Sequence, residues 1–381
     1  MKTVGIITCF ADNYGACLQA YALQDSIEKI GYSCSIINYV EPVGNHPRKT
    51  LGLIQRIGKS DFVRILRSKI DSGYRQSFLE TGKRAVLFNR FRKKFVHLTR
   101  KEYGKYSELK NDPPLFDAYI CGSDQIWNPL FYGTNEAHFL DFAPSGRPRI
   151  AYAPSIGVPE YPEKLKESFR SLVAKLDKVS CREDAGAELI RTVCQRECKV
   201  VIDPTLLLNS DDWKGLISNK APKEKYIFCY IFSEFDHIHD YVKRIQSLTG
   251  LKVYYLPTSK VRYDADEFKC VYDTGPKEFL ELVNGAELVI TDSFHCSVFS
   301  VQFRKQFFVL LRNKESEKLN MNSRIHTLLD KLGLRDRLVT DYFPSELTNS
   351  PIEYDAVEGK LDVLREDSLS YLKEALGVLN D

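Results

Sequence analysis

Short apolar runs alternate with segments of helical periodicity along most of the chain. In the first half, runs of mainly apolar residues mark the buried-strand candidates, at residues 4–8, 35–39, 118–121, 149–153, 178–181 and 200–202. Residues 14–30 place Ala, Leu and Gln in a helical pattern, and Gly31 follows at a position where helices commonly end. The pattern therefore predicts that the fold opens with a strand–helix–strand unit.

A second series of the same kind follows a polar stretch at residues 203–225, which we interpret as a domain linker. Its strands are predicted at residues 226–232, 251–256, 287–291 and 307–311, with helices at 237–247, 277–283, after His295 and at 324–332. Two such series predict an α/β fold of two Rossmann-like, doubly wound domains that face each other across a cleft, at residues 1–205 and 206–345. Residues 346–381 form a C-terminal segment, whose amphipathic helix at 359–376 we expect to pack back on the first domain.

The positive charge of the chain is concentrated in one segment. The net charge is +3, yet residues 48–105 hold 17 Lys or Arg against 4 Asp or Glu. Apolar residues recur there every three to four positions with basic residues between them, so we predict a basic helical insertion at about residues 46–110. Such an insertion is either a solvated helical surface or a surface for anionic lipid, a polyprenyl diphosphate or an acidic glycan. No DNA- or RNA-binding module accompanies it, so nucleic acid is not a predicted partner.

The composition is that of an ordinary globular protein. With 381 residues, of which 43% are hydrophobic and 28% charged, the chain can bury two cores. Its ten cysteines are mostly scattered, and the one close pair, Cys194 and Cys198, has no histidine nearby, so we expect reduced thiols rather than disulfides or a metal site. The sequence shows neither a signal peptide nor an apolar run near ~18 residues. We therefore expect a cytoplasmic protein, with peripheral contact at the inner face of an anionic membrane through residues 48–105 as a further expectation.

The most distinctive segment is VITDSFHCSVFS at residues 289–300, which predicts a buried strand, a tight polar turn and then a helix. The turn places His295 at the start of the helix, beside Asp292 and Ser293. Unpaired N–H groups and the helix dipole attract anions at such turns, and an imidazole there suits acid–base chemistry on an anionic substrate. The alternative is structural: Asp292 or Ser293 caps the helix and His295 fills surface space.

Polar side chains also follow four other predicted strands or begin a later helix. These binding candidates are Asn13, Tyr14 and Gly15, then Gly122, Ser123, Asp124 and Gln125, then Ser155, Arg182 and finally Arg324. Glycine lets a ligand approach the backbone, and arginine can grip a carboxylate or phosphate with two parallel hydrogen bonds. Each candidate also has a structural interpretation, as a helix cap, a turn residue or, for Arg182, a salt bridge with Glu183 or Asp184.

Taken in order, seven motifs resemble the polysaccharide pyruvyl transferase family. They are DNYGACLQAYALQ, CGSDQIWNP, RIAYAPSIG, VSCRED, DPTLLL, ITDSFHCSVFSVQF and SRI, and the resemblance spans about residues 3–334. The resemblance implies a two-domain fold like that of the GT-B glycosyltransferases, and transfer of pyruvate from phosphoenolpyruvate to a sugar as a ketal. It also implies His295 and Arg182 as catalytic residues, the other candidates as substrate-binding residues, and no cofactor beyond phosphoenolpyruvate as co-substrate.

The acceptor that the resemblance implies is a glycan or a polyprenyl-linked oligosaccharide of a surface polysaccharide. One departure concerns Cys296, because the family usually has glycine after the motif histidine, and a side chain makes the backbone less free to approach a ligand. Two other functions stay open: a nucleotide-sugar glycosyltransferase on the same fold, and a non-catalytic glycan-binding or assembly component.

Overall fold

Two parallel β-sheets form the framework of the protein. The computed structural model describes residues 1–10, 12–40, 82–217, 221–233, 236–258, 267–312, 322–342 and 350–377. The strands of the first sheet are β1 (Thr3–Ile7), β2 (Ser33–Tyr39), β3 (Leu98–Tyr103), β4 (Ala118–Cys121), β5 (Arg149–Ala151), β6 (Lys178–Cys181) and β7 (Lys199–Val200). Those of the second sheet are β8 (Tyr226–Tyr230), β9 (Lys252–Tyr255), β10 (Lys269–Cys270), β11 (Leu288–Thr291) and β12 (Gln306–Val309).

Helices connect the strands and cover the sheets. Those of the first half are α1 (Tyr14–Lys29), α2 (Lys83–Phe95), α3 (Tyr106–Asn111), α4 (Pro129–Tyr132), α5 (Glu163–Val173), α6 (Asp184–Cys194), α7 (Pro204–Leu207) and α8 (Ser210–Lys214). Those of the second half are α9 (Asp236–Thr249), α10 (Pro276–Gly285), α11 (Phe294–Gln302), α12 (Ser323–Leu332) and α13 (Tyr354–Gly377), with short 3₁₀ helices at Glu136–Phe139 and Arg335–Arg337.

Both sheets have the strand order of doubly wound folds. The orders are β3-β2-β1-β4-β5-β6-β7 and β10-β9-β8-β11-β12, with all pairs parallel. Every residue of β4, β8 and β11 is buried, as expected for strands covered by helices on both faces. The order reverses between β1 and β4 and between β8 and β11, and ligands bind open α/β sheets at the carboxyl ends of such strands. These two points therefore mark where a site is expected.

Each strand predicted from the sequence is present, with small shifts at its ends, but β3 and β10 were not predicted. β3 lies in the segment assigned to a basic helical insertion, so that assignment is wrong for Leu98–Tyr103. It is an edge strand with exposed side chains at Arg100, Lys101 and Glu102, so it lacks the apolar run that reveals a central strand. Residues 41–81, which include most of the predicted insertion, lie outside the described residues.

The first part of the predicted linker, residues 203–217, is a packed connection, whereas residues 221–225 are irregular with partly or fully exposed side chains. Pro204 begins α7 behind the N-cap Asp203, and a capping box of Asn209 and Asp212 starts α8. Trp213 on α8 is fully buried and lies between Tyr21 of α1 and Phe299 of α11, with ring centroids 5.9 and 4.9 Å away. The chain therefore passes between the two sheets through a segment that contacts both halves of the protein.

Helix α13 connects the second sheet to the first. Its first residue, Tyr354, donates a hydrogen bond to the carbonyl oxygen of Lys305, which precedes β12. Near its other end, Tyr371 donates to the carbonyl oxygen of Ala151 in β5, 3.0 Å away. α13 buries Val357, Leu361, Leu372 and Leu376, and no helix among the described residues combines the length and the apolar character needed to cross a membrane.

The Gly122→Ala variant is expected to be destabilised. Gly122 follows β4 with φ +126°, and an added Cβ would lie 1.9 Å from the backbone oxygen of Tyr152, which cannot move aside. We expect the free energy of unfolding, measured by denaturant titration, to fall by more than about 1 kcal/mol.

Gly146→Ala is the matched control, because Gly146 also has a positive φ, +77°, but an added Cβ there meets nothing within 4 Å. This variant measures how much stability is lost when alanine adopts a positive φ without a steric clash. Equal losses in the two variants would contradict a steric role for the contact with Tyr152.

Candidate functional site

A buried carboxylate, that of Asp203, lies where the two halves of the protein meet. Its Oδ1 accepts hydrogen bonds from the backbone N–H and hydroxyl of Thr205, at 3.0 and 2.6 Å. Its Oδ2 accepts from Nη1 of Arg182 at 2.5 Å and from Oγ of Ser123 at 3.2 Å, and lies 3.5 Å from Nε2 of His295. One carboxylate thus links the ends of β4 and β6 with α11 of the second half.

The Asp203 carboxyl is held in its ionised form. Burial by itself raises its pKa, but the charges of His295 and Arg182 and the hydrogen bonds of the site outweigh burial and hold the pKa well below its usual value. Because the folded-state pKa is lowered, this carboxylate stabilises the fold above about pH 4. That contribution is lost as the pH falls below this range.

His295 is buried between the two halves instead of filling surface space. Ser293 caps α11, its Oγ accepting from the N–H of Cys296 at 3.4 Å, and this places the imidazole in the first turn. Only 8% of His295 is exposed, and among the described residues its Nε2 has no partner within hydrogen-bonding distance. A Cβ on Gly15 would lie 2.1 Å from its Nδ1, so only glycine lets α1 come this close. The sequence predicted that a ligand approaches the backbone at Gly15, but the His295 ring occupies that space.

Asp292 anchors the turn that carries His295. Its carboxylate accepts hydrogen bonds from the N–H groups of Phe232 and Ser233 and from the Ser233 hydroxyl, at 2.7–3.0 Å. Arg312 donates to its backbone oxygen and lies 3.5 Å from its carboxylate. The acceptor capacity of Asp292 is therefore used to join the ends of β8 and β11.

Cys296, the departure from the family pattern, is a packing residue. It is completely buried in the hydrophobic core, where burial raises the pKa of its thiol to about 12. It is therefore a neutral thiol at physiological pH.

Arg182 pairs with two carboxylates, although its Nε is buried without a partner among the described residues. Beside its bond to Asp203, its Nη2 lies 3.4 Å from Oδ1 of Asp124, and its guanidinium stacks 4.5 Å above the ring of Phe294. The alternative partner Glu183 instead accepts hydrogen bonds with its Oε1 from Ser155 and from two backbone N–H groups. Arg182 therefore orders the site around Asp203.

Arg324 is a second buried arginine, and it forms no ion pair among the described residues. It lies in the first turn of α12, and its Nε is buried without a partner. Burial lowers its pKa to about 9, and repulsion from Arg182 and Arg312 adds to this effect, while the charges of Asp124 and Glu183 oppose it. A buried cation without an ion pair is costly, so this position suits an anionic ligand.

A cavity lies against the two arginines. Arg182, Arg324 and Lys331 line it together with Asp203, Phe294 and aliphatic side chains from the β7 end, α12 and α13. Most of its wall is apolar, and its charged side chains are three cations and two carboxylates, those of Asp203 and Asp367. This combination suits a small anionic ligand with few polar contacts elsewhere.

The candidates after β1 have mainly structural contacts. Asn13 is exposed and caps α1, accepting from the N–H of Ala16 at 3.1 Å. Tyr14 is buried, stacks on Phe279 of α10 with centroids 4.8 Å apart, and donates to the carbonyl oxygen of Thr274. Tyr14 therefore joins the two halves of the protein, next to the contact that Gly15 makes.

The remaining first-half candidates hold the loops after β4 and β5. Oε1 of Gln125 accepts from Asn128 at 2.8 Å, and Oγ of Ser155 donates to Glu183 at 3.0 Å. Asp124, with φ +63°, is the one whose side chain faces the arginine of the site. Gly122 and Ser123 directly follow β4: the Ser123 hydroxyl donates to Asp203, and Gly122 lies against the backbone oxygen of Tyr152.

Three site residues were missed in the sequence. Asp203 stands in the DPTLLL motif, which we had assigned to a linker, and Phe294 lies inside the histidine motif but has an apolar side chain. Arg312 directly follows the predicted strand 307–311, so the rule that polar residues at strand ends are candidates would have found it. Within the described residues, no group of three or more His, Cys, Asp or Glu side chains is placed to hold a metal ion.

Comparison with known proteins places this geometry in context. A family model described as polysaccharide pyruvyl transferase matches residues 13–314, which include every candidate residue except Arg324. No curated protein matches the chain.

Several solved structures align with this chain over most of its length. AviGT4, a glycosyltransferase involved in avilamycin A biosynthesis, aligns with a TM-score of 0.50 and 10% identity over 100% of this chain and 98% of its own. S. aureus MnaA, solved with UDP, aligns with a TM-score of 0.48 and 12% identity over 100% and 98%. The UDP-GlcNAc 2-epimerase of Methanocaldococcus jannaschii aligns at 0.46 and 9% over 96% and 93%. The likeness to AviGT4 and the two parallel sheets confirm the predicted GT-B-like α/β fold.

Replacing Arg324 with Gln is expected to remove an anion site without unfolding the protein. In the absence of anions the variant should be at least as stable as the wild type, because an uncompensated buried charge is lost. Inorganic phosphate should stabilise the wild type by mass action and leave the variant unchanged. Thermal unfolding with and without phosphate measures both effects.

Arg337→Gln provides the matched control. Arg337 is similarly buried, but it pairs with Asp336 and donates to the carbonyl oxygen of Ser350 at 2.6 Å. Its replacement should lower the unfolding temperature and keep the response to phosphate. A normal phosphate response in the Arg324 variant would contradict an anion site there.

Proposed function

The chain belongs to the polysaccharide pyruvyl transferase family, and on that premise we propose that it transfers the pyruvyl group of phosphoenolpyruvate to two hydroxyls of one sugar as a cyclic ketal. The sugar belongs to a surface polysaccharide or to its lipid-linked precursor. The observation that supports this proposal most directly is the buried Arg324, which forms no ion pair among the described residues, next to the paired Arg182 and to the His295 imidazole, which faces the same oxygen of Asp203 as Arg182 does.

The charges of the site suit phosphoenolpyruvate. The donor carries a carboxylate and a phosphate, so it needs cations and N–H donors. Arg324 supplies a cation without a counterion, and the first turn of α11 supplies N–H groups next to His295. Arg182 is held by Asp203 and Asp124, so we assign it to stabilising charge on the departing phosphate while it keeps the site ordered.

The reaction moves two protons, and His295 is the group placed to carry one of them. The first sugar hydroxyl adds to the carbon that bears the phosphate, and its proton reaches the neighbouring methylene carbon, which becomes a methyl group. Phosphate then departs with the electron pair of its carbon–oxygen bond. The second hydroxyl closes the ketal and its proton ends on phosphate. An imidazole that accepts and returns a proton contributes ~10²- to 10⁴-fold to such a step.

The acceptor is proposed to be a glycan or a polyprenyl-linked oligosaccharide. The described part of the basic segment uses several charges internally: Lys83 pairs with Asp273 and Arg92 with Asp12. Exposed basic side chains remain at Arg90, Lys93, Lys94 and Arg100, and residues 48–81 lie outside the described residues. We propose that contact with an anionic membrane uses the charges of residues 48–105 that are not paired internally. Binding to vesicles with and without anionic lipid tests this part of the proposal.

His295→Ala is expected to lower phosphate release from phosphoenolpyruvate by ~10²- to 10⁴-fold, because the proton-carrying group is removed. The unfolding temperature should stay close to that of the wild type, because the loss is expected in turnover and not in folding stability. Phosphate release is measured with a panel of free and lipid-linked oligosaccharides as acceptors.

The control is His97→Ala, which removes a largely exposed histidine that pairs with Glu28 on the surface. It should keep wild-type turnover. An unchanged rate of phosphate release in the His295 variant would rule out its catalytic role.

Donor identity is tested separately by thermal unfolding. Phosphoenolpyruvate should raise the unfolding temperature of the wild type, whereas nucleotide sugars should not. Stabilisation by a nucleotide sugar alone would favour the glycosyltransferase alternative. No stabilisation by either donor, together with no turnover, would favour a non-catalytic glycan-binding component.

A further inference from the structure

The two ring nitrogens of His295 have different surroundings. Nε2 is shut off from solvent and faces Oδ2 of Asp203 at 3.5 Å. This distance is longer than a hydrogen bond, but such contacts often tighten when substrate is bound. Arg182 pairs with the same oxygen at 2.5 Å and keeps the carboxylate ionised beside a neutral imidazole, so this oxygen accepts and the arrangement favours a proton on Nε2 of the neutral ring.

Gly15 lies against the face of the imidazole and does not block the lone pair of Nδ1. A Cβ on Gly15 would lie 2.1 Å from Nδ1, 2.4 Å from Cγ and 2.8 Å from Cε1. A point in line with the lone pair would be equally far from Cγ and Cε1. The first turn of α1 therefore covers the ring near its Nδ1–Cγ bond and leaves the in-plane direction of Nδ1 to another group.

We propose that Asp203 is a positioning residue that fixes the proton of His295 on Nε2, so that Nδ1 is the atom that exchanges a proton with substrate. This rests on the proposed acid–base role of His295. The acid–base role of His295 alone neither gives Asp203 a function nor selects one of the two ring nitrogens. The contact of Nε2 with Oδ2 of Asp203 is what distinguishes the nitrogens.

The assignment places the reacting atoms on the Nδ1 side of the ring, next to the first turn of α1. As an imidazolium with protons on both nitrogens, His295 gives the Nδ1 proton to the methylene carbon of phosphoenolpyruvate, which makes the neighbouring carbon electrophilic. The Asp203 carboxylate stabilises the imidazolium, as carboxylates behind catalytic histidines do. Nδ1 of the neutral ring then accepts the proton of the first sugar hydroxyl as it adds, so the imidazolium is regenerated and the protons balance.

The tautomer of His295 in the wild-type protein tests the proposal directly. Nitrogen-15-labelled histidine in the full chain, examined by two-bond proton–nitrogen correlation above the titration range of imidazole, distinguishes the two neutral forms. The His295 signals are assigned by their loss in His295→Gln. We expect a proton on Nε2 and a bare Nδ1, and a proton on Nδ1 would overturn the proposal.

Two variants separate positioning from packing. Asp203→Asn keeps the shape and an acceptor oxygen for Arg182 but loses the charge, so we expect the Nε2 tautomer preference to be lost and kcat to fall about 10²-fold. Thr205→Val removes the hydroxyl that donates to the other oxygen of the same carboxylate, at 2.6 Å. This control should keep the wild-type tautomer.

The outcomes distinguish this inference from the proposed function. Absence of phosphate release from phosphoenolpyruvate in the wild type would refute the proposed function, while the tautomer spectrum still decides the role of Asp203. Wild-type kcat or an unchanged tautomer in Asp203→Asn would refute the positioning role alone. If this variant does not fold, the wild-type tautomer remains decisive.

Discussion

The ionised carboxylate of Asp203 is the constraint on which the site depends. It is fully buried, and it holds Arg182 and Ser123 from one sheet and faces His295 from the other. A buried charge is tolerable only when its hydrogen-bond capacity is filled, and loss of one partner of such a pair typically costs ~3–5 kcal/mol. The positions of the β4, β6 and α11 ends are therefore coupled through one side chain. Because these ends belong to different halves of the protein, the same side chain also couples the positions of the two sheets.

The two buried arginines differ in their ion pairs. Arg182 has its charge matched by Asp203 and Asp124, whereas Arg324 forms no ion pair among the described residues and is repelled by Arg182 and Arg312. A protein that keeps an uncompensated cation beside a compensated one loses stability at that point, which is typical of binding sites. The apolar ring of Phe294 lies 4.5 and 6.0 Å from the two guanidinium groups and limits the access of water to both.

The sequence was informative where a local rule applies. Apolar runs predicted the central strands because parallel strands are buried on both faces, and the strand-to-helix turn predicted the place of His295. The edge strand β3 was missed since its exposed charged residues resemble a helical surface. Asp203 was missed for a different reason: its importance comes from three partners distant in sequence, and nothing in its own neighbourhood distinguishes it from an ordinary helix cap. The pairing state of Arg182 and Arg324 likewise depends on tertiary contacts that no local pattern encodes.

The packed connection between the sheets restricts how the protein can move. Two-domain proteins often open and close about a short exposed hinge, whose few backbone torsions change at little cost. Here the same stretch carries Trp213, which is wedged between Tyr21 and Phe299, and Gln302 donates to the carbonyl oxygens of Thr205 and Leu208. Rotation about this stretch would expose an indole and break those bonds. Ligand entry by displacement of side chains around the cavity is thus less costly than a swing of one sheet away from the other.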